Sequence, residues 1–194
     1  IEPEARVATA LSNRREAPVV DVAIFKAGAA RVPINPALSR EAIDHILSDA
    51  MPAAVVCDPE SIDAVEVALS SRSHRPIRVV VGPEEPPERW RSAAALRETA
   101  PKTRPDVSVE PDALAGLFYT GGTTGEPKGV RYTQAGLMTN FLAYAPELGL
   151  SSTDTGLVTT PVAHSGGTFL LATLEGRLQA GPVGAHVARL VSAR

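Results

Sequence analysis

One cysteine, Cys57, occurs in 194 residues. An internal disulfide is therefore impossible, and the expected compartment is a reducing one, the cytoplasm. An excess of basic charge is also missing: 19 Lys and Arg stand against 22 Asp and Glu, a net charge of −3. No global positive field draws the chain onto nucleic acid or anionic lipid, so no nucleic-acid partner is expected and any cationic site has to be local. No apolar run reaches the ~18 residues of a membrane span, and no segment has the layout of a signal peptide. No group of His, Cys, Asp and Glu has the spacing of a metal site. Internal repeats and low-complexity tracts are absent as well. What remains is an ordinary globular composition, 44% hydrophobic and 21% charged. The length suits one domain with a real core, or a large piece of something bigger.

Apolar periods alternate along the first hundred residues. Residues 5–11 (ARVATAL), 30–35 (ARVPIN), 53–57 (AAVVC) and 77–82 (IRVVVG) read as strands. Residues 16–29, 39–50, 59–71 and 86–100 read as helices. Pro18 falls in a first turn, where a missing amide costs little, and Gly28 falls where a C-terminal cap is needed. Ser39 is placed as an N-cap, with Ile43, Ile46 and Leu47 on one face behind it. Ile62, Val65 and Leu69 form a similar stripe, and the helix at 86–100 opens on proline. Strand and helix repeated in this way predict an α/β fold, a mainly parallel sheet with flanking helices. Cys57 ends a buried strand as a packing residue. The charges of residues 74–78 (HRPIR) read as a solvated turn. Residues 101–112 hold three prolines and no apolar face, as a linker does. Residues 113–120 are the next strand. Residues 133–145 form a helix with Leu137, Met138, Phe141, Leu142 and Ala145 on one side, stopped by Pro146, and 155–161 form a further strand.

Between those last strands lies YTGGTTGEPKGV, Tyr119 to Val130, with four glycines, three threonines, one proline and one lysine. Such a density of glycine and proline ends regular structure. Backbone N–H groups bind anions when several point into one concavity, and a Cβ there would block close approach. Gly121, Gly122 and Gly125 meet that need. Thr120, Thr123 and Thr124 add hydroxyl donors, and Lys128 adds a mobile charge able to follow a polyphosphate. The order of residues excludes a Walker A loop, because Lys128 follows Pro127 and precedes Gly129. It also excludes the dinucleotide fingerprint. A generic glycine-rich connection shares the composition.

The string resembles the signature loop of the adenylate-forming (AMP-binding) superfamily: acyl-CoA and aryl-CoA synthetases, fatty-acid–CoA ligases, nonribosomal adenylation domains and luciferases. The usual loop has Ser at its third position; here that position is Gly121, one hydroxyl fewer. Residues 25–50 (FKAGAARVPINPALSREAIDHILSDA) resemble the family's early helix–strand–helix block. Residues 161–167 (PVAHSGG) resemble the segment where a histidine or aromatic lines the acyl pocket. Residues 5–176 follow the family in order. The resemblance implies part of the large N-terminal domain, divided as strand–helix repeats over 1–100, a linker over 101–112, the signature loop and acyl-pocket segment over 113–178, and an unmatched tail over 179–194.

Family members join a carboxylic acid to AMP using ATP and Mg2+, release pyrophosphate, and usually pass the acyl group to the thiol of CoA or of a carrier protein. On this chain the resemblance assigns the phosphate cradle to Thr120, Gly121, Gly122, Thr123, Thr124, Gly125 and Lys128, and the acyl pocket to His164. Mg2+ would arrive with ATP, and no catalytic residue is assigned. His45, His74 and His186 are expected to be structural or solvent-facing. The family's downstream Tyr-Gly-x-Thr-Glu-like motif, its ribose-binding Asp and its late Lys do not occur here. The expectation is thus a fragment of an acid–CoA ligase that does not turn over alone. A degenerate or non-catalytic nucleotide-binding module, an acyl-AMP ligase or adenylation domain feeding a carrier protein, and an unrelated α/β phosphate-binding protein are the alternatives.

Overall fold

A computed structural model describes residues 1–70, 72–83, 85–103, 105–120, 126–147, 158–164 and 166–167. The centre is made of short apolar strands. β1 (Arg6–Ala10), β2 (Ala30–Pro33), β3 (Ala54–Cys57) and β4 (Ile77–Val80) pair in parallel in the order β4-β3-β1-β2. β2 and β3 are buried at every residue, as parallel strands covered on both faces are. The intervening helices are α1 (Ala17–Lys26), α2 (Arg40–Ala50) and α3 (Ile62–Ser70), the last entered through a 3-10 turn at Pro59–Ser61.

The chain steps from β1 to β2, then crosses back past β1 to β3 and on to β4. Right-handed crossovers put the helices of opposite steps on opposite faces. The packing follows that rule. Ala8, Ala10, Val32, Ile34, Val55 and Cys57 pack with Ile43, Ile46 and Leu47 of α2 and with Val65 and Leu69 of α3. The alternate residues Val7, Ala54 and Val56 turn the other way and pack with Ala17 and Ile24 of α1. Burial pushes the Cys57 thiol pKa up, so it remains an inert packing group.

The expected caps are present. Ser39 Oγ accepts from Ala42 N–H at 3.3 Å at the start of α2. α1 ends three residues before the expected 29, at Lys26, and closes through Gly28 at φ +67°. There the Gly28 N–H bonds to Phe25 C=O and the Ala29 N–H to Ile24 C=O, the paired bonds of a left-handed cap.

Among the described residues, β5 (Arg91–Ser92), β6 (Leu114–Tyr119) and β7 (Gly129–Thr133) extend this to seven strands in the order β5-β4-β3-β1-β2-β6-β7. β6 lies parallel to β2, with Arg31 opposite Gly116, and β7 lies antiparallel to β6. Two further helices are α4 (Ala93–Thr99) and α5 (Gln134–Glu147). Among residues 101–112, those described contain no helix or strand.

Five expectations are corrected. The helix expected over 86–100 is only α4. Trp90 is buried and donates from Nε1 to Glu66 at 2.8 Å, and Ser92 caps α4 by accepting from Ala95 N–H, so 91–92 extend as β5 instead. The charges of 74–78 are not all solvated: Arg78 lies in β4, within the strand expected at 77–82, but it is buried, 3.2 Å from Glu66. α5 continues through Pro146 to Glu147; a proline in the last turn forfeits one amide with only one residue beyond it. Of its expected apolar face, Leu137 and Phe141 are buried against Ala115, whereas Met138 and Leu142 are exposed, because only the row of α5 that holds 137 and 141 meets the β6–β7 surface. Finally, residues 158–161 are not a strand, while 155–157 fall outside the described residues.

Gly28 generates a stability test. A Cβ there would lie 2.7 Å from Val107 Cγ1, in a left-handed conformation that costs other residues about 1–2 kcal/mol. Gly28→Ala is expected to lower unfolding free energy by at least that much in urea titration; an unchanged midpoint would show that the cap does not need glycine.

Candidate phosphate-binding site

β6 and β7 form a hairpin, and the glycine-rich segment is its tip. The Thr120 N–H donates to Lys128 C=O at 3.0 Å, and the Lys128 N–H reaches Thr120 Oγ1 at 3.4 Å. These bonds close the tip at its mouth. Because β6 is a parallel strand, the mouth lies at the carboxyl end of the sheet, where α/β sheets hold ligands. Thr120 and Lys128 are both exposed there. Gly121, Gly122, Thr123, Thr124 and Gly125 lie outside the described residues. The return strand β7 was not legible as a strand; the sequence pattern places only a loop before the helix.

Successive residues of β6 face opposite ways, and the sheet's two faces grip the hairpin differently. Phe118 packs edge-on to Tyr132 at 5.1 Å between centroids, with the Arg31 guanidinium 5.9 Å from its ring. Tyr119 turns to the α2 side and donates its hydroxyl to Asp49 Oδ2 at 2.6 Å. Burial, then the Asp49 hydrogen bond and charge, push the Tyr119 phenol pKa up, which keeps it a donor. Gly129 faces this ring across the hairpin. A Cβ at 129 would sit 3.1 Å from the Tyr119 ring, so glycine lets the ring lie across β7.

One turn before Asp49 on α2, His45 Nε2 lies 2.8 Å from Pro127 C=O. A carbonyl only accepts, so this nitrogen carries the proton. Nδ1 is 3.8 Å from Glu126 Oε2. His45 is therefore not a solvent-facing residue; it is tied to the hairpin mouth. Together His45, Asp49, Glu126, Pro127, Lys128 and Gly129 line an open groove of about 480 Å3. His74 has the structural role expected, bonding Pro52 C=O at 2.5 Å, and His186 lies outside the described residues.

His164 sits elsewhere, on an exposed turn. That turn is clamped from below. The Asn13 carboxamide donates to Thr160 C=O at 3.0 Å and accepts from Val162 N–H at 2.9 Å. Arg31 Nη2 donates to Val162 C=O at 3.0 Å, while Arg31 Nε meets Asp21 Oδ1 at 2.5 Å. Both charged side chains are at most 3% exposed. Val162 packs with Ala17 and Ile24 of α1, so the His164 turn belongs to the α1 face and the α2 contacts to the opposite one. The structure thus joins Thr120 and Lys128 directly and holds His164 on a separate segment. Sequence reading missed Asp21 and Arg31; the available signal was a lone charge inside each of two apolar runs, VVDVAIF and ARVP.

The model of the AMP-binding enzyme family matches residues 1–183. The chain belongs to this family. A dimodular nonribosomal peptide synthase of Bacillus subtilis is 31% identical over 163 residues, 84% of this chain and 6% of that protein. Feruloyl-CoA synthase of an Amycolatopsis species is 31% identical over 165 residues, 84% of this chain and 30% of that protein. The chain therefore spans less than a third of either relative. Among solved structures, ATP-bound MatB from Rhodopseudomonas palustris matches with a TM-score of 0.77 and 26% identity, covering 92% of this chain and 35% of that one. The mainly parallel sheet with flanking helices of this AMP-binding chain matches that of the N-terminal domain of adenylate-forming enzymes.

The buried pair in this AMP-binding fold yields a second test. Removing one partner leaves an uncompensated buried charge, so Asp21→Ala is expected to cost about 3–5 kcal/mol in denaturant unfolding. The double variant Asp21→Leu/Arg31→Met should recover most of it. Equal losses in both would show that packing rather than charge dominates.

Proposed function

We propose that the protein containing this chain is an AMP-forming acid–thiol ligase. An acid carboxylate attacks the α-phosphorus of ATP, the α–β anhydride bond breaks, and pyrophosphate leaves. The thiol sulfur of CoA then attacks the acyl carbon of the acyl-AMP, AMP departs and the thiol proton is lost. The observation carrying this reading is the hairpin mouth: an exposed hydroxyl and an exposed ammonium side chain, on residues locked to each other, at the carboxyl end of a parallel strand. Family membership and the ATP-bound state of MatB support it.

The residues fit a polyphosphate. Thr120 Oγ1 accepts from the Lys128 N–H, which leaves its own proton to donate outward. Lys128 supplies charge. Gly121, Gly122 and Gly125 are proposed to offer backbone N–H groups without a Cβ in the way, and Thr123 and Thr124 further hydroxyls. His164 is proposed to line the acyl pocket for a fatty or aryl acid. Mg2+ is proposed to come bound to ATP; among the described residues no cluster of three His, Cys, Asp or Glu could hold an ion. Most of the rate then comes from alignment and charge, not covalent chemistry. Among the described residues no helix is long and apolar enough to cross a membrane, and the proposed compartment is the cytoplasm. A carrier-protein thiol as acceptor is the second reading, favoured by the identity to the nonribosomal peptide synthase.

Acid-dependent ATP–pyrophosphate exchange by the full-length protein, over a panel of carboxylic acids, tests the reading. Residues 1–194 alone are expected to give none. Lys128→Ala should weaken use of MgATP by about 1.5–3 kcal/mol, the worth of a charge-assisted phosphate contact. Gly122→Val should cost more by blocking backbone approach. Full exchange in both variants would remove the phosphate role from this loop.

A further inference from the structure

The peptide unit between Pro127 and Lys128 is held at both of its polar ends. Its carbonyl accepts from His45 Nε2 at 2.8 Å, and its N–H donates to Thr120 Oγ1 at 3.4 Å. A peptide is planar, so two bonds pulling on opposite edges fix its rotation about the chain. That plane sets where the Lys128 Cα points its side chain. The entering stem is fixed from the same helix, because Asp49, four residues after His45, accepts the Tyr119 hydroxyl at 2.6 Å. Positions four apart share a helix face, so one turn of α2 grips both stems of the hairpin. α2 is itself immobilised: Ile43, Ile46, Leu47 and Ala50 are at most 3% exposed.

We propose that His45 is a positioning residue of this site: its Nε2–H orients the Pro127–Lys128 peptide and so aims Lys128, while touching neither nucleotide nor acid. The proposal rests on the reading of the hairpin tip as the MgATP site. The role needs a hydrogen-bond donor at this reach and not merely a ring. Glutamine can supply that donor; phenylalanine supplies only bulk.

The experiment compares His45→Ala, His45→Gln and His45→Phe in the full-length protein. In pyrophosphate exchange, Ala and Phe are expected to raise the KM for MgATP about three- to tenfold, the worth of one hydrogen bond, with the KM for the acid within about twofold of wild type. Gln should restore most of the loss. Hydrogen exchange at the Lys128 amide should be faster in Ala and Phe and near wild type in Gln. The proposal is overturned if Phe rescues as well as Gln, if MgATP and acid KM rise together, or if Lys128 amide exchange is the same in all variants. Absence of acid-dependent exchange in the wild type would sink the ligase reading alone; the amide data still decide whether His45 holds the peptide.

Discussion

One backbone hydrogen bond, from Thr120 N–H to Lys128 C=O, governs the geometry of the site. Its net worth is ordinary, about 1 kcal/mol. Its consequence is positional. It turns a glycine-rich connection into the closed tip of a hairpin and puts the residue that opens the tip beside the residue that ends it. The hydroxyl of Thr120 and the ammonium of Lys128 therefore start from adjacent points, although seven residues separate them. A closed mouth of this kind has already met the entropy cost of bringing loop ends together before any ligand arrives.

The bond survives because β6 is gripped on both faces. Phe118 engages Tyr132 and Arg31 on the α1 side, and Tyr119 engages Asp49 on the α2 side. Arg31 connects this grip to the rest of the molecule. It pairs with Asp21 of α1, lies across from Gly116 of β6, and donates to Val162 beneath the His164 turn. The proposed phosphate loop and the proposed acyl-pocket turn are thus fastened to neighbouring parts of one sheet. Acyl transfer to AMP requires the acid and the α-phosphate to be held together, and a shared rigid support meets that demand.

The central fold was legible because its signals are local. Ser39 caps its helix through its own side chain, and Gly28 takes the left-handed conformation that closes α1. The all-apolar runs of β2 and β3 correspond to strands buried on both faces. What escaped lacks a local signal. β7, GVRYT, is almost wholly exposed and shows no alternation, so only its partner β6 makes it a strand. β5 has two residues. Met138 and Leu142 look like core by spacing, yet the narrow β6–β7 surface reaches only Leu137 and Phe141. In the site, Thr120 and Lys128 stood out through loop chemistry. His45, Asp49, Asp21 and Arg31 act through partners 10 to 131 residues away, and no pattern in the sequence links them.

The most direct measurement is a crystal structure of the full-length protein with Mg2+ and a non-hydrolysable ATP analogue. The β- and γ-phosphates are expected within hydrogen-bond distance of the Thr120 hydroxyl and the Lys128 ammonium group, at the carboxyl end of β6, with the His45–Pro127 bond retained. A triphosphate bound away from the hairpin tip, or one bound there with Lys128 turned aside and the Thr120–Lys128 closure broken, would contradict the assignment.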